Sequence, residues 1–305
     1  MSNEDVSPGH PAAGPGPQAS ANPRNAEPPR SIWLCADDYG LAPGVSKAIR
    51  ELIARGRLNA TSAMVLPPSF GRQAALQLNL LNGKRKRFAV GLHLTMTAPF
   101  RPLTDFQPLA ADGCFLPIRD MLMHSFWPRF DRALVRREVE AQMQAFVTAF
   151  GHPPDFVDGH HHVHLLPRID EAVLAVSKRA NPAAWVRQCR QVKPLHRWLN
   201  DRKGILIDLL SRRLQGRAQK FGVATNPAFA GTYRFDPDAS FAASFPAFLE
   251  GLPEGSVVMC HPGFIDAELE RLDSLTTLRE KEFAFLASDA FPAVLAQAGL
   301  ALAAV

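Results

Sequence analysis

The sequence is poor in cysteine, and no two of its cysteines lie close together. Cys35, Cys114, Cys189 and Cys260 are scattered and form no Cys-x-x-Cys pair. That spacing excludes a zinc ribbon, and a chain of 305 residues can build a core without disulfides. Reduced thiols in a cytoplasmic protein are therefore expected. Long apolar runs are missing as well. Hydrophobic residues make up 47% of the chain, yet no stretch approaches the roughly 18 residues of a membrane span. Residues 1–30 have seven prolines, three glycines and hardly any large apolar side chain. Such a segment cannot bury enough surface to order itself, so a disordered tail is expected, without the apolar centre of a secretory signal. Charge of one sign is also scarce. A net charge of +5 gives no ground for a nucleic-acid partner. The uneven stretch is 187–220, with ten Lys or Arg against Asp201 and Asp208. It reads as a solvated helix face, or as a patch for an anionic substrate or an anionic membrane surface.

What the chain does have is alternation. The run 32-IWLCA-36 is apolar on both faces and stops at Asp37-Asp38, as a buried strand would. Val45, Ala48, Ile49, Leu52 and Ile53 follow at helical spacing up to Gly56. Further strands are expected at 60–66, 88–94, 155–158, 184–188 and 256–260. Helices are expected near 69–81, 131–150, 168–180, 274–287 and 291–298, with a basic and mostly helical 190–225. This order predicts parallel strands joined by crossover helices, in a single barrel-like α/β domain over 31–305. Reactive groups in such folds lie just past the C-terminal ends of the strands.

Unusual polar residues recur at those ends. Asp37 and Asp38 close the first strand, His93 lies near the end of 88-FAVGLHL-94, Asp158 and His160 close 155-DFVD-158, and His261 follows 256-SVVMC-260. Each has an ordinary reading taken singly. His93 could be a core histidine, the Asp pair a cap or turn, His-Pro-Gly a turn, and the histidine run a surface cluster. Together they place carboxylates and imidazoles from four strands on one rim. A carboxylate and two neutral imidazoles suit a divalent cation with positions left open. A second carboxylate can take a proton from water, and a further histidine can give one to a leaving group. Four of the ten histidines crowd into 158-DGHHHVHLLP-167. If that run is extended, His160, His162 and His164 share one face, opposite His161 and Val163. One of them can ligate while its neighbours orient it or line a cleft.

The blocks 36-ADDYGL-41, 91-GLHLTMT-97, 158-DGHHHVHLLP-167, 225-TNPAFAG-231, 261-HPGFID-266 and 279-REKEFAFL-286, in this order, resemble the YdjC-like carbohydrate deacetylase family, which includes the chitooligosaccharide deacetylases. The resemblance implies a distorted (β/α) barrel that removes acetyl groups from N-acetylated sugars with one divalent metal ion, Mg2+ or Zn2+. It implies Asp38, His93 and His160 as metal ligands, Asp37 as general base and His261 as the acid that protonates the departing amine. Asp158, His162, His164, Gly231 and Arg279 are expected to contact substrate or support the ligands. A relative acting in hopanoid lipid modification has an Asn-Ala-His-Lys-His type of third block, so DGHHHVH is nearer the sugar-oligomer type. A sugar-bearing glycolipid ranks second as substrate. A phosphoesterase on the same scaffold and a non-catalytic binding protein are further alternatives, the last disfavoured by the presence of both a base and an acid. The expected partner is a small carbohydrate, which could be anionic or lipid-linked, and a homodimer is compatible with the sequence. The apolar stretch 120-DMLMHSFWPRF-130 could form a lid over the sugar or pack locally.

Overall fold

The structure is a computed structural model that describes residues 28–304, apart from 84, 129, 193–201, 234, 235 and 237. The tail expected over 1–30 therefore lies outside the described residues except for 28–30, and Arg30 already belongs to the first strand. In chain order the elements are β1 (Arg30–Tyr39), α1 (Pro43–Ala54), β2 (Ala60–Ala63), α2 (Arg72–Asn82), β3 (Ala89–Leu94), α3 (Ile118–Phe126), α4 (Arg132–Phe150) and β4 (Phe156–Gly159). A 3-10 turn (His160–Leu165) leads into α5 (Ile169–Ala180), β5 (Trp185–Val186), α6 (Arg202–Phe221), β6 (Ala224–Thr225) and β7 (Phe229–Ala230). The chain ends with α7 (Phe241–Leu249), β8 (Val257–Cys260), α8 (Ala267–Leu272), α9 (Thr277–Ala287), α10 (Ala290–Gln297) and β9 (Leu300–Leu302).

Local sequence explains the boundaries. Pro43 opens α1, where a missing N–H is harmless. Asp131 caps α4 by accepting the amides of Ala133 and Leu134, and Gly151 ends that helix at φ 80°. The elements α3, α7 and α8 lie where no helix was expected, although the buried Phe241, Phe245, Phe248 and Leu249 of α7 stand at helical spacing.

Among the described residues the strands form one sheet in the order β6-β5-β4-β3-β2-β1-β8-β7, with β9 added beside β1. All of these pairings are parallel, as the crossover pattern requires. A parallel bridge between Gln191 and Phe229 links the segment after β5 to β7, so the edges of the curled sheet approach there. The result is the expected irregular (β/α) barrel of parallel strands with helices outside. Its central strands are buried throughout, which is why they read as continuous apolar runs.

Register then sets which strand ends meet. His93 on β3 pairs with Asp158 on β4. Ala36 on β1 pairs with Cys260 on β8, so Asp37 and His261 come next at the same level. Gly231 follows β7 at φ 99°, and a Cβ there would lie 2.1 Å from the Met259 carbonyl oxygen. Only glycine lets this loop press against β8 two residues before His261. Gly231→Ala is expected to destabilise the fold by at least about 2 kcal/mol. Gly56→Ala, also at positive φ but with nothing within 4 Å, should cost about 1 kcal/mol. Denaturant titration of both variants checks the difference.

Candidate metal centre and catalytic cavity

Adjacent residues of a regular strand point to opposite faces, yet both aspartates of β1 reach the same site. The pairing of β1 with β2 shifts register between Ala36 and Tyr39, and Asp38 adopts φ 68°. Aspartate tolerates this left-handed conformation better than most residues, and the bulge turns its carboxylate inward. Asp38 Oδ1 lies 3.2 Å from His93 Nε2 and 3.1 Å from His160 Nδ1. All three donors lie within 4.8 Å of one another and are buried. Two ligands about 2.1 Å from a common cation are about 3.0 Å apart at right angles and about 3.4 Å apart in a tetrahedron. The donor set therefore has the spacing of a metal site, with oxygen and nitrogen ligands that suit a transition metal.

The surroundings orient each donor. Asp158 Oδ1 is 2.7 Å from His93 Nδ1, so this nitrogen donates to the carboxylate and leaves Nε2 for a cation. Ser62 Oγ lies 2.9 Å from the same nitrogen. Arg279 Nη2 donates to Asp38 Oδ2 at 2.7 Å and to Asp273 Oδ2 at 2.6 Å, leaving Asp38 Oδ1 toward the imidazoles. Asp37 is gripped by Arg187, whose Nη1 and Nη2 donate to its two oxygens at 2.7 Å each. Arg187 Nη2 also approaches Asp158 Oδ2 to 2.5 Å, a charge contact rather than an aligned hydrogen bond. A second cluster of metal-ligating types, Cys35, Asp37 and Asp158, thus already surrounds a guanidinium. Burial also pushes the Cys35 and Cys260 thiols well up, as expected of inert thiols inside buried strands.

Burial would raise both carboxyl pKa values, but neighbouring charge outweighs it. Arg187 holds Asp37 at about 2. Arg279, with hydrogen bonds from His160 and His93, holds Asp38 well below the usual carboxylate range. Burial would lower His93, but the Asp158 carboxylate, helped by Asp38, pushes it up to about 10.

The histidine run is not extended. His160–Leu165 is a 3-10 turn, with His161 at φ 53° and His162 at φ 59°. The rings therefore spread around the turn instead of sharing alternate faces. His160, His161 and His162 line a cavity of about 530 Å3, together with Asp37, Asp38, His93, His261 and Arg279. His161 stacks beside His160, ring centroids 3.9 Å apart, and its Nδ1 is 3.1 Å from Thr97 Oγ1. His164 turns away from the cavity and donates from Nε2 to the Arg187 carbonyl at 2.9 Å. Burial keeps both His161 and His164 neutral, at about 3 and about 4. The expected substrate or supporting role of His164 thus becomes support of Arg187, and that of Gly231 becomes close backbone packing. Asp158 supports His93, while Arg279 supports Asp38 from the cavity wall.

A family model described as YdjC-like protein matches residues 31–297. The chain belongs to the YdjC-like family. Curated relatives named chitooligosaccharide deacetylase, from Yersinia pestis and Yersinia pseudotuberculosis, are 28% identical over 277 residues, covering 88% of this chain and 94% of theirs. A crystal structure from Enterococcus faecalis V583, of a protein proposed to cleave cellobiose phosphate, is similar with a TM-score of 0.68 at 21% identity. It covers 90% of this chain and 97% of that one, and it speaks for the shared fold.

Within this YdjC-like chain two residues of the site escaped the sequence reading. Arg187 was one cation in a basic stretch, and its signal was its place directly after a strand, where a charged residue is unusual. Ser62 lies inside β2 among apolar neighbours and gave no signal. Glu282, quoted only as part of 279-REKEFAFL-286, accepts the His261 amide at 2.5 Å and the Tyr233 hydroxyl at 2.7 Å.

Arg187→Met should destabilise the protein by about 3–5 kcal/mol, because Asp37 and Asp158 stay buried without their cation. A raised His93 pKa means that its charged form stabilises the metal-free fold fully below about 6.5, and that this contribution is lost as pH rises toward about 10. A cation needs the neutral imidazole, so zinc binding at pH 8 should release about one proton from this group, and affinity should rise with pH up to about 10. Calorimetric titration in two buffers of different ionisation enthalpy measures that proton.

Proposed function

We propose that this chain is a metal-dependent carbohydrate N-deacetylase that hydrolyses the acetamide of an N-acetylated sugar and releases acetate. One observation carries the reading: Asp38, His93 and His160 converge on the floor of a cavity that Asp37 and His261 also line. The names of the Yersinia relatives support the same chemistry. A divalent cation held by Asp38 Oδ1, His93 Nε2 and His160 Nδ1 would polarise a carbonyl and acidify water.

The chain's own groups would divide the remaining work. Asp37, held in place by Arg187, accepts a proton from the attacking water. His261, its backbone fixed by Glu282, gives a proton to the departing nitrogen. Asp158 keeps the His93 Nδ1 proton in place, so the other nitrogen faces the floor.

A second reading, a lipid-bearing sugar as substrate, is favoured by the cavity wall. Ile118 and Leu122 of α3 and Leu206, Ile207 and Leu210 of α6 line it. Among the described lining residues there is no Phe, Tyr or Trp on which a sugar ring could stack.

Acetate release should be measured on chitobiose, phosphorylated chitobiose and a GlcNAc-bearing lipid, with and without chelator, beside a phosphoester panel. Acetate from at least one sugar, abolished by chelator, is the expected result. Phosphate release without acetate would replace deacetylation by phosphoester hydrolysis. Asp37→Asn should lower turnover about a thousandfold while keeping its metal. His93→Ala and His160→Ala should lose the metal itself, as read by elemental analysis.

A further inference from the structure

α3 presents its residues in rows spaced four apart. Met121 and Ser125 are buried. In the next row Ile118 and Leu122 line the catalytic cavity, and Phe126, at the end of that row, is 57% exposed. The row beyond begins with Arg119 and continues with Met123, 66% exposed, and Trp127 just past the helix, 59% exposed. Only then comes the polar row of Asp120 and His124. An apolar surface therefore runs without a break from the cavity wall out to solvent. Large apolar side chains clustered on a monomer's surface mark a binding face.

The charge around this face selects the partner. Arg119 of α3 and Lys203 of α6 both lie at the cavity, exposed. Neither has an acidic partner among the described residues. A second copy of the chain on a two-fold axis would set the same cations against each other. An anionic surface would match them. A tryptophan, a phenylalanine and a methionine projecting beside basic residues is the chemistry of a helix that settles into the headgroup region of a bilayer. No helix among the described residues is long and apolar enough to cross a membrane.

We infer that Met123, Phe126 and Trp127, flanked by Arg119 and Lys203, dock this protein on an anionic lipid bilayer with the cavity mouth at the membrane. The inference is independent of which bond the enzyme breaks, since it rests on the outer face of α3.

Co-flotation with vesicles tests it, using phosphatidylcholine alone or mixed with phosphatidylglycerol. The wild-type chain should float with the mixed vesicles, stay behind with the neutral ones, and be released by salt. Replacing Met123, Phe126 and Trp127 together by serine should weaken binding about tenfold or more without changing the melting temperature appreciably. Trp127→Phe should still bind. In a Trp198→Phe background, brominated lipid should quench the fluorescence, and that quenching should vanish when Trp127→Phe is added, although Trp33 and Trp185 remain. If the serine variant does not fold, the quenching comparison decides alone. Failure to float with anionic vesicles, or quenching that survives when both Trp127 and Trp198 are replaced by phenylalanine, would overturn the inference. So would a wild-type dimer that the serine variant dissociates while neither binds vesicles.

Discussion

Three carboxylates and two guanidinium groups are buried together at the end of this barrel, and the site depends on how they divide. Arg187 spans Asp37 and Asp158, while Arg279 takes the outer oxygen of Asp38. Arg279 is shared with Asp273, so negative charge outweighs the two guanidinium groups. In the metal-free protein a proton on His93, favoured by the Asp158 carboxylate, supplies part of the balance. A divalent cation at Asp38, His93 and His160 would supply it instead. Buried charges this close are tolerated only when each is matched, so electroneutrality makes the whole cluster a single unit. Changing any one member changes the charge that its direct partners must match.

The same demand explains the long-range architecture around the site. Arg279 and Glu282 stand one turn apart on α9, near the chain's end. The first holds Asp38, on the first strand, and the second holds the backbone of His261, after β8. One helix thus fixes a candidate ligand and a candidate acid relative to each other. Gly44 extends the clamp: its amide donates to Asp266 Oδ2 at 2.6 Å, and a Cβ would lie 2.2 Å from the Phe264 carbonyl oxygen. The His-Pro-Gly loop is held between α1 and α9 by contacts that leave no room for a side chain.

These particulars show what a sequence can and cannot disclose. Strand ends were legible because parallel barrel strands are buried on both faces. Their apolar runs stop abruptly, and a carboxylate or imidazole at the stop stands out, as at Asp37, His93, Asp158 and His261. Conformation within a polar run was not legible. Nothing in HHHVH announces two consecutive left-handed residues, so the alternating arrangement expected for His160, His162 and His164 gave way to a 3-10 turn. Arg187 was hidden for the opposite reason. Beside so many surface cations it looked like one more, and only the approach of its side chain to Asp37 of β1 and Asp158 of β4 shows that it is completely buried. A buried arginine is determined by partners distant in sequence, here Asp37 and Asp158, and its own neighbours hold no record of them.

Arg187 also sets a limit on the chemistry. A carboxylate held at about 2 is a weak base for water, even for water acidified to a pKa of about 7. The guanidinium therefore exchanges basicity for placement: both Asp37 oxygens are fixed, and their remaining lone pairs point in set directions. A proton taken up by such a base cannot stay, because the protonated carboxyl would break the bidentate contact and leave Arg187 facing Asp158 alone. The energetic pressure is to pass the proton on at once. Asp37 and His261 follow paired positions on β1 and β8, so the proposed base and the proposed acid lie at the same level of the barrel. On the proposed mechanism, the weak basicity of Asp37 would favour passing the proton on toward the departing nitrogen.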